Sequence, residues 1–304
     1  MNIENCLFCG KSQKKILRAD LTDVEAGTGG RFSVAQCLDC HFIYLSPRPA
    51  EENLPDRYPA HYYTQLKGRR SGLSQQLYRP RYLFRRRRIQ NACQGIPSSL
   101  LEVGYGDGAF LAYLKEKWGE RCQLAGIDFK PPPGQATLSG VDWMEGDFLR
   151  FPFKKSYDVI TLYSVLEHLP RPLEALSLLS RLLKPKGLLV MEVPNWNSLW
   201  RFVFPRHWSG LQIPRHQIFP THRSLGRLLE RAGLRMNRYN RIFDPGDFSV
   251  SFCNWLSHRL KLKTPPRQAW FFLPATALFS PLVFLQWAVL RNSGEMECIC
   301  CLKN

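Results

Sequence analysis

The chain has 304 residues, 44% of them apolar and 22% charged, which is ordinary globular composition: room for one medium domain with appendages, and nothing of a low-complexity or disordered chain. Lys and Arg number 42 against 25 Asp and Glu, a net charge of +17 that favours anionic partners (nucleic acid, anionic lipid headgroups, phosphorylated substrates) without choosing among them. No charged-then-apolar leader opens the sequence, and ten cysteines that include two CxxC pairs suit reduced thiols, so the expectation is a cytoplasmic protein.

The first element, residues 1–50, is built around Cys6-Leu-Phe-Cys9 and Cys37-Leu-Asp-Cys40. A two-residue gap lets both sulfurs of a tight knuckle reach one tetrahedral ion, so the pairs read as a four-thiolate Zn2+ site. Gly10 stands where such a knuckle calls for positive φ. The competing readings are a redox pair and incidental cysteines; a redox CxxC is expected at a strand–helix junction, and none is evident here. Four protein thiolates leave no open coordination position, which makes the zinc structural.

Residues 51–97 read as a linker dominated by a basic helix, Leu73 to Cys93. It carries Arg79, Arg81 and Arg85 to Arg88, with Tyr82, Phe84 and Ile89 interspersed. Three readings stay open: a solvated helix covering a sheet, a membrane-surface element whose arginines meet anionic headgroups, and a nucleic-acid contact.

Next comes the most informative segment. An apolar strand, Ser99 to Val103, runs into a turn with glycine at every second position, Gly104-Tyr-Gly106-Asp-Gly108, and a helix follows over Ala109 to Trp118. Glycines let backbone amides approach a ligand, and the helix points its positive end at the same place. Gly104, Gly106 and Ala109 fit a dinucleotide fingerprint in its G/A form; Glu102-x-Gly104-x-Gly106-x-Gly108 is a second reading; a ligand-free turn is a third. Asp128, at the end of the strand Gln123 to Ile127, fits either ligand-binding reading, since an acidic strand end about 20 residues on takes ribose hydroxyls.

The later motifs separate these. A short strand, Val141 to Met144, precedes Gly146-Asp147-Phe148; a buried-type strand, Tyr157 to Tyr163, leads into Ser164-Val165-Leu166-Glu167-His168-Leu169-Pro170. A helix over Pro172 to Leu183 ends in Lys184-Pro185-Lys186-Gly187, before the strand Leu188 to Val193. In order and spacing this series resembles the class I S-adenosylmethionine (SAM) methyltransferases over residues 98–242, with Lys186 where that family usually has glycine. The cysteine leader, with His41 to Pro49 and His61-Tyr62-Tyr63 after it, resembles a bacterial subgroup that places a zinc ribbon before the SAM domain and acts on small metabolites.

The resemblance implies a doubly wound, Rossmann-like α/β fold with a seven-stranded sheet. It also implies that Glu102, Gly104, Gly106 and Gly108 frame the methionine end of SAM, Asp128 holds the ribose, Asp147 the adenine amine and Phe148 the adenine face, with Tyr163 bordering the cofactor. His168, at the mouth of its strand, is the first candidate general base and His216 the second. His216 lies in the aromatic, arginine-bearing segment Trp196 to Pro220, which reads as the acceptor side.

Residues 243–293 form an apolar insertion, in which Ala269 to Leu290 runs 22 residues without a charge. Pro274 and Pro281 interrupt it, and residues 294–304 resemble the last antiparallel strand of the same fold, pairing with Leu234 to Phe243. A strand cannot join its sheet from across a bilayer. A helical hairpin is therefore expected, as a membrane dip or a lid, ahead of a true span; Trp270, Trp287, Lys261, Lys263 and Arg291 flank it as interfacial anchors would.

The expected function is SAM-dependent O- or C-methylation of a small or lipid-linked metabolite, such as a quinone or isoprenoid precursor or a lipid-carried glycan. A cytoplasmic location, peripheral or monotopic at an anionic membrane surface, goes with it. The alternative is an RNA or protein methyltransferase, and the third reading is a SAM-binding protein without catalysis.

Overall fold

Three short antiparallel strands, β1 (Lys14–Leu21), β2 (Phe32–Cys37) and β3 (Ile43–Ser46), carry the cysteine knuckles in this computed structural model, which describes residues 5–25, 27–54, 58, 72–130, 139–262 and 270–303. Every residue of β3 is buried, because its free edge lies on the rest of the protein. Leu45 N donates to Gln217 O and Phe219 N to Ile43 O, both at 3.0 Å, so residues 217–219 run along the small sheet as an extra strand.

Helix α1 (Gly72–Cys93) follows, then the alternating core: β4 (Ser99–Val103), α2 (Ala109–Trp118), β5 (Gln123–Asp128), β6 (Val141–Glu145), β7 (Tyr157–Tyr163), α3 (Pro172–Leu182) and β8 (Leu183–Pro194). A short α4 (Trp200–Val203), α5 (His222–Arg231), β9 (Leu234–Ile242), α6 (Pro245–Arg259), α7 (Phe272–Ala288) and β10 (Glu295–Leu302) complete the described chain. The strands form a seven-stranded sheet in the order β6-β5-β4-β7-β8-β10-β9, with β10 antiparallel to both neighbours and the others parallel. β4 and β7 lie at its centre with helices on both faces, which explains their near-continuous apolar runs. Strand order reverses between β4 and β7, so a crevice opens beyond their carboxyl ends.

The doubly wound sheet and its antiparallel last strand match the expectation. β8 starts earlier than expected, at Leu183, because that residue pairs with Tyr157 before a register shift. Lys186 sits there at φ +67°, the left-handed region that glycine enters most readily.

α1 corrects the picture of an exposed basic patch. It covers the sheet, and three of its arginines point inwards while Arg79 and Arg87 stay exposed: Arg81 reaches Glu192 at 2.9 Å and Glu295 at 2.7 Å, Arg85 binds Glu192, and Arg88 reaches Glu297 at 3.2 Å. Glu192 and Glu297 are buried acids on central strands, and the helix supplies their counter-charges. Arg85 and Arg88 are thereby taken from any headgroup or phosphate.

α6 and α7 form a hairpin inserted between β9 and β10, and the apolar run, expected to fold back on itself at its prolines, is instead one helix that continues through Pro281. Asp244 caps α6, accepting from Gly246 N at 2.8 Å, and Pro245 opens it. The helices meet through Phe248 and Phe279, whose ring centroids are 4.5 Å apart. No helix among the described residues is long and apolar enough to cross a membrane. α7 does leave Leu273, Leu278, Leu282 and Phe284 exposed, with Trp270 85% exposed just before it. Ala269, Lys263 and His61 to Tyr63 lie outside the described residues.

Candidate functional site

The turn after β4 has all three glycines in the left-handed region, at φ +73° (Gly104), +57° (Gly106) and +69° (Gly108). At Gly104 the need for glycine is also steric: a Cβ would fall 2.4 Å from Val165 Cγ2. Val165 therefore packs directly against Gly104, which sets the turn after β7 next to the turn after β4.

Glu102 lies beneath this turn, 3% exposed, with Oε2 lacking a hydrogen-bond partner among the described residues. Burial pushes its carboxyl up to about 8, against the pull of Arg85. Asp128 closes β5 by accepting from Gly106 N at 2.8 Å and Phe129 N at 2.7 Å; burial still raises it. Asp147 accepts from Leu149 N at 3.0 Å beyond β6, and Phe148 is buried in the core on one side of the sheet. Tyr163 is buried on the opposite side, its ring under the Arg85 guanidinium at 3.6 Å and edge-on to Phe110. Its hydroxyl has no partner among the described residues.

His168 and His216, 48 positions apart in the sequence, meet edge to face with ring centroids 4.5 Å apart. His168 Nδ1 lies 3.1 Å from the Tyr58 hydroxyl, and His216 Nδ1 lies 2.9 Å from Gly210 O. Burial lowers both imidazoles, His168 to about 4, so both are neutral at physiological pH.

Arg215, next to His216, is held by two carboxylates of the loop that follows β1: Asp23 at 2.9 Å and Glu25 at 3.1 Å. The cysteine module thus anchors the segment that carries His216. Its own sulfurs converge, with Cys6–Cys40 and Cys9–Cys37 Sγ–Sγ distances of 3.5 Å. Two equivalent knuckles produce this: Gly10 and His41 take φ +75° and +58° and donate their amides back to Cys6 O and Cys37 O. Four thiolates around a zinc ion at about 2.3 Å stand about 3.8 Å apart, so these residues fit the metal.

Several residues of this region carried little sequence signal. Tyr58 is 110 positions from His168 in a stretch without periodicity. Phe129, 60% exposed directly after Asp128, was legible only by that adjacency. Arg85 stood among like charges, and nothing local marked it as the one over Tyr163.

A family model described as a methyltransferase domain matches residues 75–238. The chain belongs to this methyltransferase family. It is a SAM-dependent methyltransferase, with the seven-stranded sheet typical of that fold and a small antiparallel module carrying four clustered cysteines. The demethylmenaquinone methyltransferase of Lysinibacillus sphaericus (strain C3-41) is 26% identical over 169 residues, covering 47% of this chain and 72% of that protein. The same enzyme from Listeria monocytogenes serotype 4a (strain HCC23) is 25% identical over 171 residues, with the same coverage. In fold, the methyltransferase resembles Burkholderia thailandensis 1,6-didemethyltoxoflavin-N1-methyltransferase, solved with 1,6-didemethyltoxoflavin and S-adenosylhomocysteine. That likeness has a TM-score of 0.54 at 15% identity and covers 91% of this chain and 98% of the other.

The glycine turn fits the cofactor of the family. Glu102 offers an orphaned buried carboxylate oxygen, and Asp128 stands at the adjacent strand end. Bound there, SAM supplies a methyl group activated on a sulfonium.

Proposed function

We propose that this enzyme methylates a small acceptor, at O or C, that is carried in or near a membrane surface: a quinone or isoprenoid precursor, or a lipid-linked glycan. The exposed apolar face of α7, beginning at Trp270, carries this reading, because monomeric proteins rarely leave such a face to water. The demethylmenaquinone methyltransferases it resembles support it by name.

In this reading Glu102 and the amides of Gly104, Gly106 and Gly108 hold the methionine end of SAM, and Asp128 holds the ribose hydroxyls. Asp147 takes the adenine amine, Phe148 walls the adenine, and Tyr163 with Arg85 backs the site from beneath. Cys6, Cys9, Cys37 and Cys40 hold a structural Zn2+ that keeps the small sheet docked on residues 217–219. His168 and His216 face the acceptor and present neutral imidazole to its proton. In-line transfer then depends on position, since a well-oriented pair of reactants gains several kcal/mol of barrier by proximity alone, about 7–11 in favourable cases.

An RNA or protein acceptor is the second reading, and the inward turn of Arg81, Arg85 and Arg88 weighs against it. The test uses methyl-labelled SAM, the purified enzyme and a bacterial extract divided into lipid, small-metabolite, RNA and protein fractions. Label in the lipid fraction is expected. Label confined to RNA or protein would overturn the reading.

A further inference from the structure

Glu167, His168 and His216 each offer one ligand atom to a common point, the three atoms all lying within 4.8 Å of one another. Glu167 and His168 come from the 3-10 turn that ends β7, and His216 comes from the segment docked on the cysteine module. Glu167 is 1% exposed, and its Oε2 has no hydrogen-bond partner among the described residues. A buried carboxylate oxygen left without a donor costs stability unless something positive meets it. The nearby Arg215 guanidinium already binds Asp23 and Glu25.

The His216 ring is arranged as a metal ligand is. A ligating imidazole usually donates its other N–H to a carbonyl or carboxylate, which fixes the tautomer and leaves one lone pair for the ion. His216 Nδ1 lies 2.9 Å from the Gly210 carbonyl, which can only accept, so that nitrogen carries the proton. His168 is held between the Tyr58 hydroxyl, 3.1 Å from Nδ1, and the backbone of Arg215, so ligation through Nδ1 displaces the tyrosine hydroxyl.

From this geometry we propose that Glu167, His168 and His216 bind one divalent first-row metal ion, distinct from the ion of the four cysteines. Two imidazoles and a carboxylate suit Zn2+, Mn2+, Co2+ or Fe2+ and leave open positions for oxygen ligands. Closing the three atoms onto an ion with bonds of about 2.1 Å requires each to move by less than about 1 Å. Val165, two residues before Glu167, touches the Gly104 turn, so the open positions lie next to the place where SAM is expected. With the ion in place the ligating lone pairs of His168 and His216 are committed to it, in place of the base role given above. An acceptor hydroxyl or enol bound there would be favoured as its oxyanion, its proton passing to solvent water. Two adjacent acceptor oxygens would chelate. The ion site stands on the side chains alone; its use on an acceptor oxygen rests on the proposed function above.

The test is zinc content after equilibrium dialysis of the full chain against buffered free Zn2+. Two ions per chain are expected in the wild type and one in E167Q and in H216N, the remaining ion reporting that the cysteine module is intact. One ion in the wild type, or a second ion held equally tightly by both variants, would overturn the site. Should a variant lose the cysteine-bound ion too, a Co2+ titration of the wild type decides. A second equivalent that adds ligand-field absorption without new thiolate charge transfer supports the site; one that adds neither overturns it. Label transfer into lipid by a protein with a single ion would remove this inference and leave the proposed function standing. Two ions in a protein that labels only RNA or protein would do the reverse.

Discussion

Arg215 and Asp23 form an ion pair at 2.9 Å in which each side chain is only 1% exposed, and it joins the catalytic half of the molecule to the cysteine module. Charges this deep are tolerated only as partners, and Glu25 at 3.1 Å is the second carboxylate on Arg215. D23N leaves Arg215 with Glu25 alone and is expected to lower unfolding stability by at most about 3–5 kcal/mol, the loss when a buried pair is broken outright. Chemical denaturation checks the stability. If the pair also positions His216, D23N lowers kcat more than it weakens SAM binding, and an unchanged kcat would refute that positioning role.

The module should be held by its metal. C37S is expected to lose bound zinc and to release β3 from residues 217–219, since the knuckle containing Cys37 leads straight into that strand. Elemental analysis with thermal melting checks it: a lower Tm, with zinc reduced, is expected. Unchanged zinc content would contradict the four-cysteine assignment.

At Gly104 both φ +73° and a would-be Cβ 2.4 Å from Val165 oppose any side chain. G104A is expected to spread the two turns and weaken SAM binding by at least about tenfold, or about 1.4 kcal/mol. Calorimetric titration with SAM reads this directly, and V165A should restore part of the loss.

Glu102 gives the cofactor site a pH dependence. Burial lifts its carboxyl to about 8, so the free enzyme holds it protonated at neutrality. A cationic cofactor favours the ionised form, and the raised acid reaches that form only as pH climbs through 8. SAM affinity should therefore rise on the order of tenfold between about pH 6.5 and about pH 8.5, and E102Q should flatten the curve. A wild-type curve as flat as that of E102Q would exclude Glu102 from the cofactor site.

Glu192 runs the other way. Burial would raise it, but Arg85 and Arg81 hold it down to about 2. A depressed acid contributes stability above its unfolded value near 4.5 and loses it as pH falls towards 2. Acid unfolding of the wild type should consequently steepen below about pH 4.5, in a window where E192Q, already destabilised, shows a shallower slope. Circular dichroism across that range distinguishes the two.

What the sequence determined by itself was whatever depends on neighbours along the chain. The glycine turn, the β4 to β7 motif series and the last strand at Glu295 were legible because strand period, helix onset and positive-φ glycines are local constraints. The two CxxC pairs were legible for the same reason, each knuckle closing within five residues. Tertiary structure decided the rest. Arg81, Arg85 and Arg88 read as a solvated or docking stripe, since a helix sequence does not reveal which buried acids it will meet; Glu192, Glu295 and Glu297 lie more than 100 positions away. Glu167, His168 and His216 were visible as separate residues, but their convergence depends on docking residues 217–219 against β3 and on the Gly104–Val165 contact. Buried charge and metal geometry are properties of long-range packing, and the energy that forces the pairing is the cost of leaving such groups unpartnered away from water.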